Sequence, residues 1–134
     1  MREFIRHPTD IPIEYEVIGR SSPIRDVVEN ISQGGLCFPA RESIQPGSRI
    51  RVLIPLLDPV FETLGTVVWS REVEPQHQVG VCFDDSRSEF NIRMIEQICH
   101  IEQYRRDVLE TDARALTIEQ AAHEWIERFA AEFP

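Results

Sequence analysis

The sequence predicts a mainly β protein, a six-stranded antiparallel barrel followed by C-terminal α-helices. Three observations carry this. From Ile11 to Asp85, apolar residues recur with period two in short runs separated by turn signals. From Ser86 onward the apolar spacing becomes that of a helix. A chain of 134 residues, 42% hydrophobic and 28% charged, can bury a core without disulfides or metal.

The elements follow in order. Ile11, Ile13, Tyr15 and Val17 alternate with Pro12, Glu14 and Glu16, the pattern of a half-buried first strand. Asp26 to Ser32 forms a second strand that stops at Gly34-Gly35, and Leu36 to Phe38 a third. Pro46-Gly47 signals a turn. In the fourth strand Arg49, Arg51 and Leu53 alternate with Ile50, Val52 and Ile54, and Leu57-Asp58-Pro59 then breaks the chain. Val60 to Glu72 is a long fifth strand with a bulge expected at Gly65, and Gln78 to Phe83 is the sixth. Ser86-Arg87-Ser88-Glu89 fits a capping box, after which Phe90, Met94, Ile95, Ile98, Ile101 and Val108 keep helical spacing to about residue 110. After a break over Thr111 to Leu116, Thr117-Ile118-Glu119-Gln120 is a second capping-box match. It opens a final helix lined by Ile118, Ala122, Trp125, Ile126, Phe129 and Phe133.

Charge narrows the function classes. The net charge is −9 and every cation is arginine, a balance unsuited to nonspecific DNA or RNA binding, which needs a basic face. The acidity is uneven: residues 84–134 carry −6 and residues 1–83 carry −3, and Arg2, Arg6 and His7 face only Glu3 at the chain's start. No run approaches the 18 or so apolar residues of a membrane span, and nothing reads as a signal peptide, so a cytoplasmic protein is expected. Cys37, Cys82 and Cys99 form no C-x-x-C pair, and no histidines fall at ligand spacing, so no metal is expected. The motifs of serine hydrolases, P-loop enzymes and metallohydrolases are absent, and the expectation is a protein that is not an enzyme.

Two short motifs carry chemistry. Arg2-Glu3-Phe4-Ile5-Arg6 is an R-x-x-x-R, and Asn30-Ile31-Ser32-Gln33-Gly34-Gly35 is an N-x-S-x-x-G. A guanidinium is planar and always charged, and it clamps a phosphate or the O6/N7 edge of guanine with two parallel bonds. Asn30 and Ser32 lie two apart on a strand, so their side chains leave the same face. Gly35, without a Cβ, admits a ligand close to the backbone. Each motif alone has an ordinary reading: arginine pairs are common on surfaces, and Asn, Ser and Gly commonly end strands in turns. Together they suit a small ligand bearing phosphates and purine edges.

In order and spacing the two motifs resemble those of the PilZ domain family, R-x-x-x-R followed by [DN]-x-S-x-x-G. Arg6-His7-Pro8 leading into Ile11 to Val17, Gly35-Leu36-Cys37-Phe38, Gly65-Thr66-Val67-Val68-Trp69 and Val79-Gly80-Val81-Cys82-Phe83 resemble family strands as well. The resemblance covers about residues 1–100, leaving 101–134 as a helical extension. It implies a PilZ-type barrel and a receptor for the bacterial second messenger cyclic di-GMP (c-di-GMP), with no other cofactor. Carried over, it implies that Arg2 and Arg6 grip phosphates and guanine edges, that Asn30 and Ser32 hydrogen-bond the ligand, and that Gly35 gives clearance. Trp69 and Arg71 are further candidates for a base-facing wall, though Trp69 equally fits a core aromatic and Arg71 a solvated strand end. Asn30 stands where the family more often has aspartate, which spares the phosphates a neighbouring negative charge. Only Met1 precedes Arg2, so the gripping segment is expected either to weaken binding or to be mobile until ligand orders it.

The implied mechanism is a switch in which that ordered segment presents a surface to a partner protein, whose identity the sequence does not give. The alternative is a PilZ-like adaptor that works through protein contacts without ligand. The helical tail can fold against the barrel or pair with a second copy of the chain as a homodimer; Trp125, Ile126 and Phe129 are the residues concerned.

Overall fold

The computed structural model describes residues 4–20 and 22–129. Its strands are β1 (His7–Pro8), β2 (Pro12–Val17), β3 (Ile24–Val27), β4 (Asn30–Ser32), β5 (Gly35–Ala40), β6 (Arg49–Ile54), β7 (Phe61–Val73) and β8 (Gln76–Phe83). They form one curled antiparallel sheet in the order β1-β4-β5-β8-β7-β6-β2-β3, followed by helices α1 (Glu89–Asp112) and α2 (Ile118–Phe129).

The sheet has eight strands rather than the expected six. One of the added strands is β1, a two-residue pairing of His7 and Pro8 with Ile31 and Asn30, too short to leave a periodic signature. The other comes from a bend. The stretch read as one strand from Asp26 to Ser32 changes partner halfway: β3 pairs with β2, whereas β4 pairs with β5. At the bend the Val28 N–H donates to the Ile11 carbonyl at 3.1 Å and the Glu29 N–H donates to the Cys37 carbonyl at 2.8 Å. Val28, 2% exposed, points into the core. One bent segment thus joins the two ends of the sheet and curls it around its apolar face.

Alternation fills that face. β2 and β6 bury every second residue, and Ile11, Ile13, Ile31, Phe38, Ile50 and Phe61 are essentially inaccessible. Helix α1 adds Met94, Ile95, Ile98 and Ile101 to the same cluster, and α2 adds Ile118, Ala121, Ala122 and Trp125. The tail's apolar stripe therefore packs mainly within the chain, α2 lying against α1, while Phe129 stays 40% exposed. Phe133 lies outside the described residues.

Two local expectations shift. The N-cap of α1 is Ser88 rather than Ser86: its hydroxyl accepts the Asn91 N–H at 3.1 Å, and Asn91 in turn donates to the Gln33 carbonyl, tying the helix start to the β4–β5 turn. The bulge in β7 sits between Val67 and Trp69, not at Gly65; at Gly65 a Cβ would press on the Cys82 carbonyl, so glycine there serves close strand packing. By contrast, the second capping box forms in full, with Thr117 and Gln120 exchanging backbone-to-side-chain bonds of 2.9 and 3.1 Å. Gly47 takes the positive φ of +94° that its turn requires.

Candidate functional site

The two motifs meet. Arg6 Nη1 donates to Asn30 Oδ1 at 2.9 Å across 24 residues of chain. Two features hold the arginine there. Strand β1 lies along the edge of β4, and the Phe4 ring rests on Gly34, where a Cβ would come within 2.5 Å of Phe4 Cδ2. The Arg87 guanidinium lies 5.3 Å from the centre of the same ring. Arg2, the other motif arginine, lies outside the described residues.

From Asn30 the site extends across four strands. The sheet register sets Asn30 opposite Cys37, Cys37 opposite Gly80, and Gly80 opposite Trp69. All four belong to one row on the outer face. Trp69 reaches that face because of the bulge. Val67 is buried and points inward, so a regular strand would also turn Trp69 inward, two residues later. The extra residue, Val68, reverses the alternation. The indole then lies on Gly80, where any Cβ would collide with Trp69 Nε1 and Cε2. The core-aromatic reading of Trp69 fails for this reason, and Trp69 is absent from the buried cluster.

The next row holds Arg71 opposite Gln78. The Arg71 guanidinium carbon stands 5.1 Å from the centre of the Trp69 ring, and its Nε donates to Gln78 Oε1 at 3.2 Å. Gln78 Nε2 donates to Glu29 Oε2 at 2.8 Å, and the same carboxylate oxygen faces Cys37 Sγ at 3.8 Å. Burial and then the Glu29 charge push the Cys37 thiol up to about 11, against opposing pulls from Arg6 and Arg71. Arg6, Glu29, Cys37 and Arg71 thus share one electrostatic neighbourhood. Glu29, Cys37, Gln78 and Gly80 were not singled out from the sequence; only the register aligns them with the motifs.

Ser32 and Gly35 each have a role within the chain. Ser32 is 7% exposed. Its hydroxyl accepts the Gly34 N–H at 3.1 Å and faces the Gly35 carbonyl at 3.3 Å, so it serves the two-residue β4–β5 turn. The missing Cβ of Gly35 makes room for the Val81 carbonyl of β8. Neither Gly34 nor Gly35 has a positive φ; both are required by space.

A concavity of about 360 Å³, lined by Tyr15, Val17, Arg20, Ile24, Arg41 and Ile44 among others, contains none of the motif residues. Among the described residues, no three His, Cys, Asp or Glu side chains gather as a metal site, and no helix is long and apolar enough to cross a membrane.

Comparison with known proteins agrees with this architecture. Solved structures of similar fold include Escherichia coli YcgR in complex with c-di-GMP (19% identity, 84% of this chain and 50% of that chain, TM-score 0.64). The PilZ domain of YcgR with c-di-GMP, also from Escherichia coli, matches at 16% identity over 82% of this chain and 98% of its own (TM-score 0.62). The Bacillus subtilis inhibitor of motility matches at 19% identity over 76% of this chain and 50% of that chain (TM-score 0.60). The chain therefore spans about half the length of YcgR and of the motility inhibitor. No curated protein matches it by sequence. The family model for the PilZ domain matches residues 1–100, and the chain accordingly belongs to the PilZ domain family.

Proposed function

We propose that this chain is a c-di-GMP receptor acting as a binding effector rather than an enzyme, with the ligand on the outer face that joins Arg6, Asn30, Trp69 and Arg71. The observation that carries the reading is the 2.9 Å bond between Arg6 and Asn30, which unites the arginine motif and the N-x-S-x-x-G strand in one site. Two guanidinium groups, an amide and an indole on one face match a ligand of two phosphates and two guanines. Relatives of the same fold solved with c-di-GMP support it. Arg2, from the same motif, supplies a second phosphate contact in this reading. Ser32 and Gly35 shape the turn that carries Asn30.

The signal is proposed to pass through the segment behind Arg6 to a partner protein. His7 Nδ1 lies 3.6 Å from Cys99 Sγ, Thr9 donates to Glu102 at 2.5 Å, and Arg105 donates to Asp10 at 2.9 Å. Three successive contacts therefore fall on one face of α1. Arg105 also donates to the Leu116 carbonyl, at the entry to α2. A ligand that binds the seated arrangement better than the unseated one biases these contacts. Ordering costs about 1–2 kcal/mol per residue in backbone entropy, and each bidentate arginine contact returns about 1–3 kcal/mol. Binding is therefore sensitive to either arginine.

Isothermal titration of the chain with c-di-GMP, beside Arg6→Ala and with GTP as decoy, tests the reading. Saturable binding of c-di-GMP but not GTP, weakened at least about tenfold by Arg6→Ala, is expected. Absence of binding at high micromolar ligand would leave the ligand-independent adaptor as the standing alternative.

A further inference from the structure

The Glu29–Gln78–Arg71 chain goes further than the motifs do. A glutamine amide has a donor end and an acceptor end, and either can face a given neighbour. Here the Glu29 carboxylate, an acceptor only, takes the Nε2 end at 2.8 Å. That leaves Oε1 turned toward Arg71, where it accepts the Nε–H at 3.2 Å. The guanidinium is thus held by its inner nitrogen with its carbon 5.1 Å from the Trp69 ring centre. Its two terminal nitrogens bond to no described residue. Trp69 in turn is seated by Gly80. An arginine fixed in this way presents a fork of two donors in a set direction, the geometry that reads a pair of acceptors on one base edge.

We propose that Glu29 and Gln78 are positioning residues that aim Arg71 at the O6/N7 edge of a guanine, making Arg71 the base-discriminating residue of the site. The inference rests on the c-di-GMP reading and deepens it. Guanine offers two acceptors on that edge, whereas adenine offers one acceptor and one donor; the fork therefore favours c-di-GMP over cyclic di-AMP. Glu29 acts only through Gln78, so its charge need not touch the ligand.

The test is a set of titrations with c-di-GMP and cyclic di-AMP on the full chain and on Arg71→Ala, Gln78→Leu and the double variant, with thermal melts to establish folding. Gln78→Leu and Arg71→Ala are each expected to weaken c-di-GMP binding about tenfold and to reduce the preference over cyclic di-AMP by a similar factor. In the double variant the loss should be no greater than in Arg71→Ala alone, because Gln78 works through Arg71. Glu29→Gln, which keeps an acceptor for the Gln78 amide, should retain more affinity than Glu29→Leu. Additive losses, or a preference for guanine untouched by Arg71→Ala, overturn the proposal while leaving the receptor reading intact. Absence of c-di-GMP binding by the unmodified chain overturns both.

Discussion

Arg6, Asn30 and Cys37 show how a single residue's surroundings set its chemistry. Arg6 is half-buried and, among the described residues, hydrogen-bonds the Asn30 amide. Asn30→Ala should therefore weaken c-di-GMP binding both by removing a contact and by releasing Arg6, and a double-mutant cycle with Arg6→Ala should show coupling of about 0.5–3 kcal/mol. Cys37 lies in the middle of the same row, 4% exposed, with its thiol pushed up to about 11 by burial and by Glu29. The thiolate is the nucleophile, and at pH 8 only about 0.1% of such a thiol is ionised. Alkylation followed by mass spectrometry should modify Cys82, the exposed cysteine, well before Cys37. Rapid labelling of Cys37 at pH 8 would contradict the described packing.

Strands and turns decide which of these residues can meet. Gly80 and Gly35 illustrate two kinds of close approach. A Cβ at Gly80 meets the Trp69 indole, a side chain that can shift; a Cβ at Gly35 meets the Val81 carbonyl, part of the paired backbone. Gly80→Ala is expected to cost about 1–3 kcal/mol, as overpacking does, and to move the Trp69 fluorescence. Gly35→Ala should cost more, because relief requires β5 and β8 to separate. Comparing the two by denaturant unfolding checks this ordering, and equal losses would contradict it. The bulge at Val68 belongs to the same scale: one inserted residue turns Trp69 outward onto Gly80 and puts Arg71 beside Gln78.

At the scale of the whole molecule, the helices are tied to the sheet and to each other by polar contacts at their rims. Glu124 on α2 accepts the Tyr104 hydroxyl of α1 at 2.7 Å and pairs with Arg114 at 2.7 Å. The Tyr104 hydrogen bond first, and then Arg114, hold the Glu124 carboxyl below its ordinary value. A group depressed on folding stabilises the fold above its unfolded value of 4.5 and loses that contribution as pH falls through its folded value. Acidification below about pH 4.5 should therefore loosen α2. Tyr104→Phe should make the thermal midpoint less dependent on pH in that range, measured by melts between pH 3 and pH 7. An unchanged pH profile in the variant would show that the Tyr104 hydrogen bond does not couple Glu124 to α2 docking.

Much of this was legible along the chain. Period-two runs such as Ile11 to Val17, the helical spacing from Phe90 to Val108 and the Thr117-Gln120 capping box are local patterns, because each is imposed by contacts within a few residues. The arginine and N-x-S-x-x-G motifs were equally readable, since side-chain chemistry and two-residue spacing are written in order. What the tertiary structure alone decided concerns contacts between distant segments. The change of partner at Val28 turned one apparent strand into two, and the edge of β4 turned His7-Pro8 into a strand. Glycine spacing identified Gly35 but not the Val81 carbonyl it accommodates, which lies on another strand. Glu29, Gln78 and Gly80 carry no local signal that ties them to the site. Hydrogen-bond register across β4, β5, β8 and β7 brings them beside Asn30, Trp69 and Arg71, and register is a property of the closed sheet rather than of any one segment.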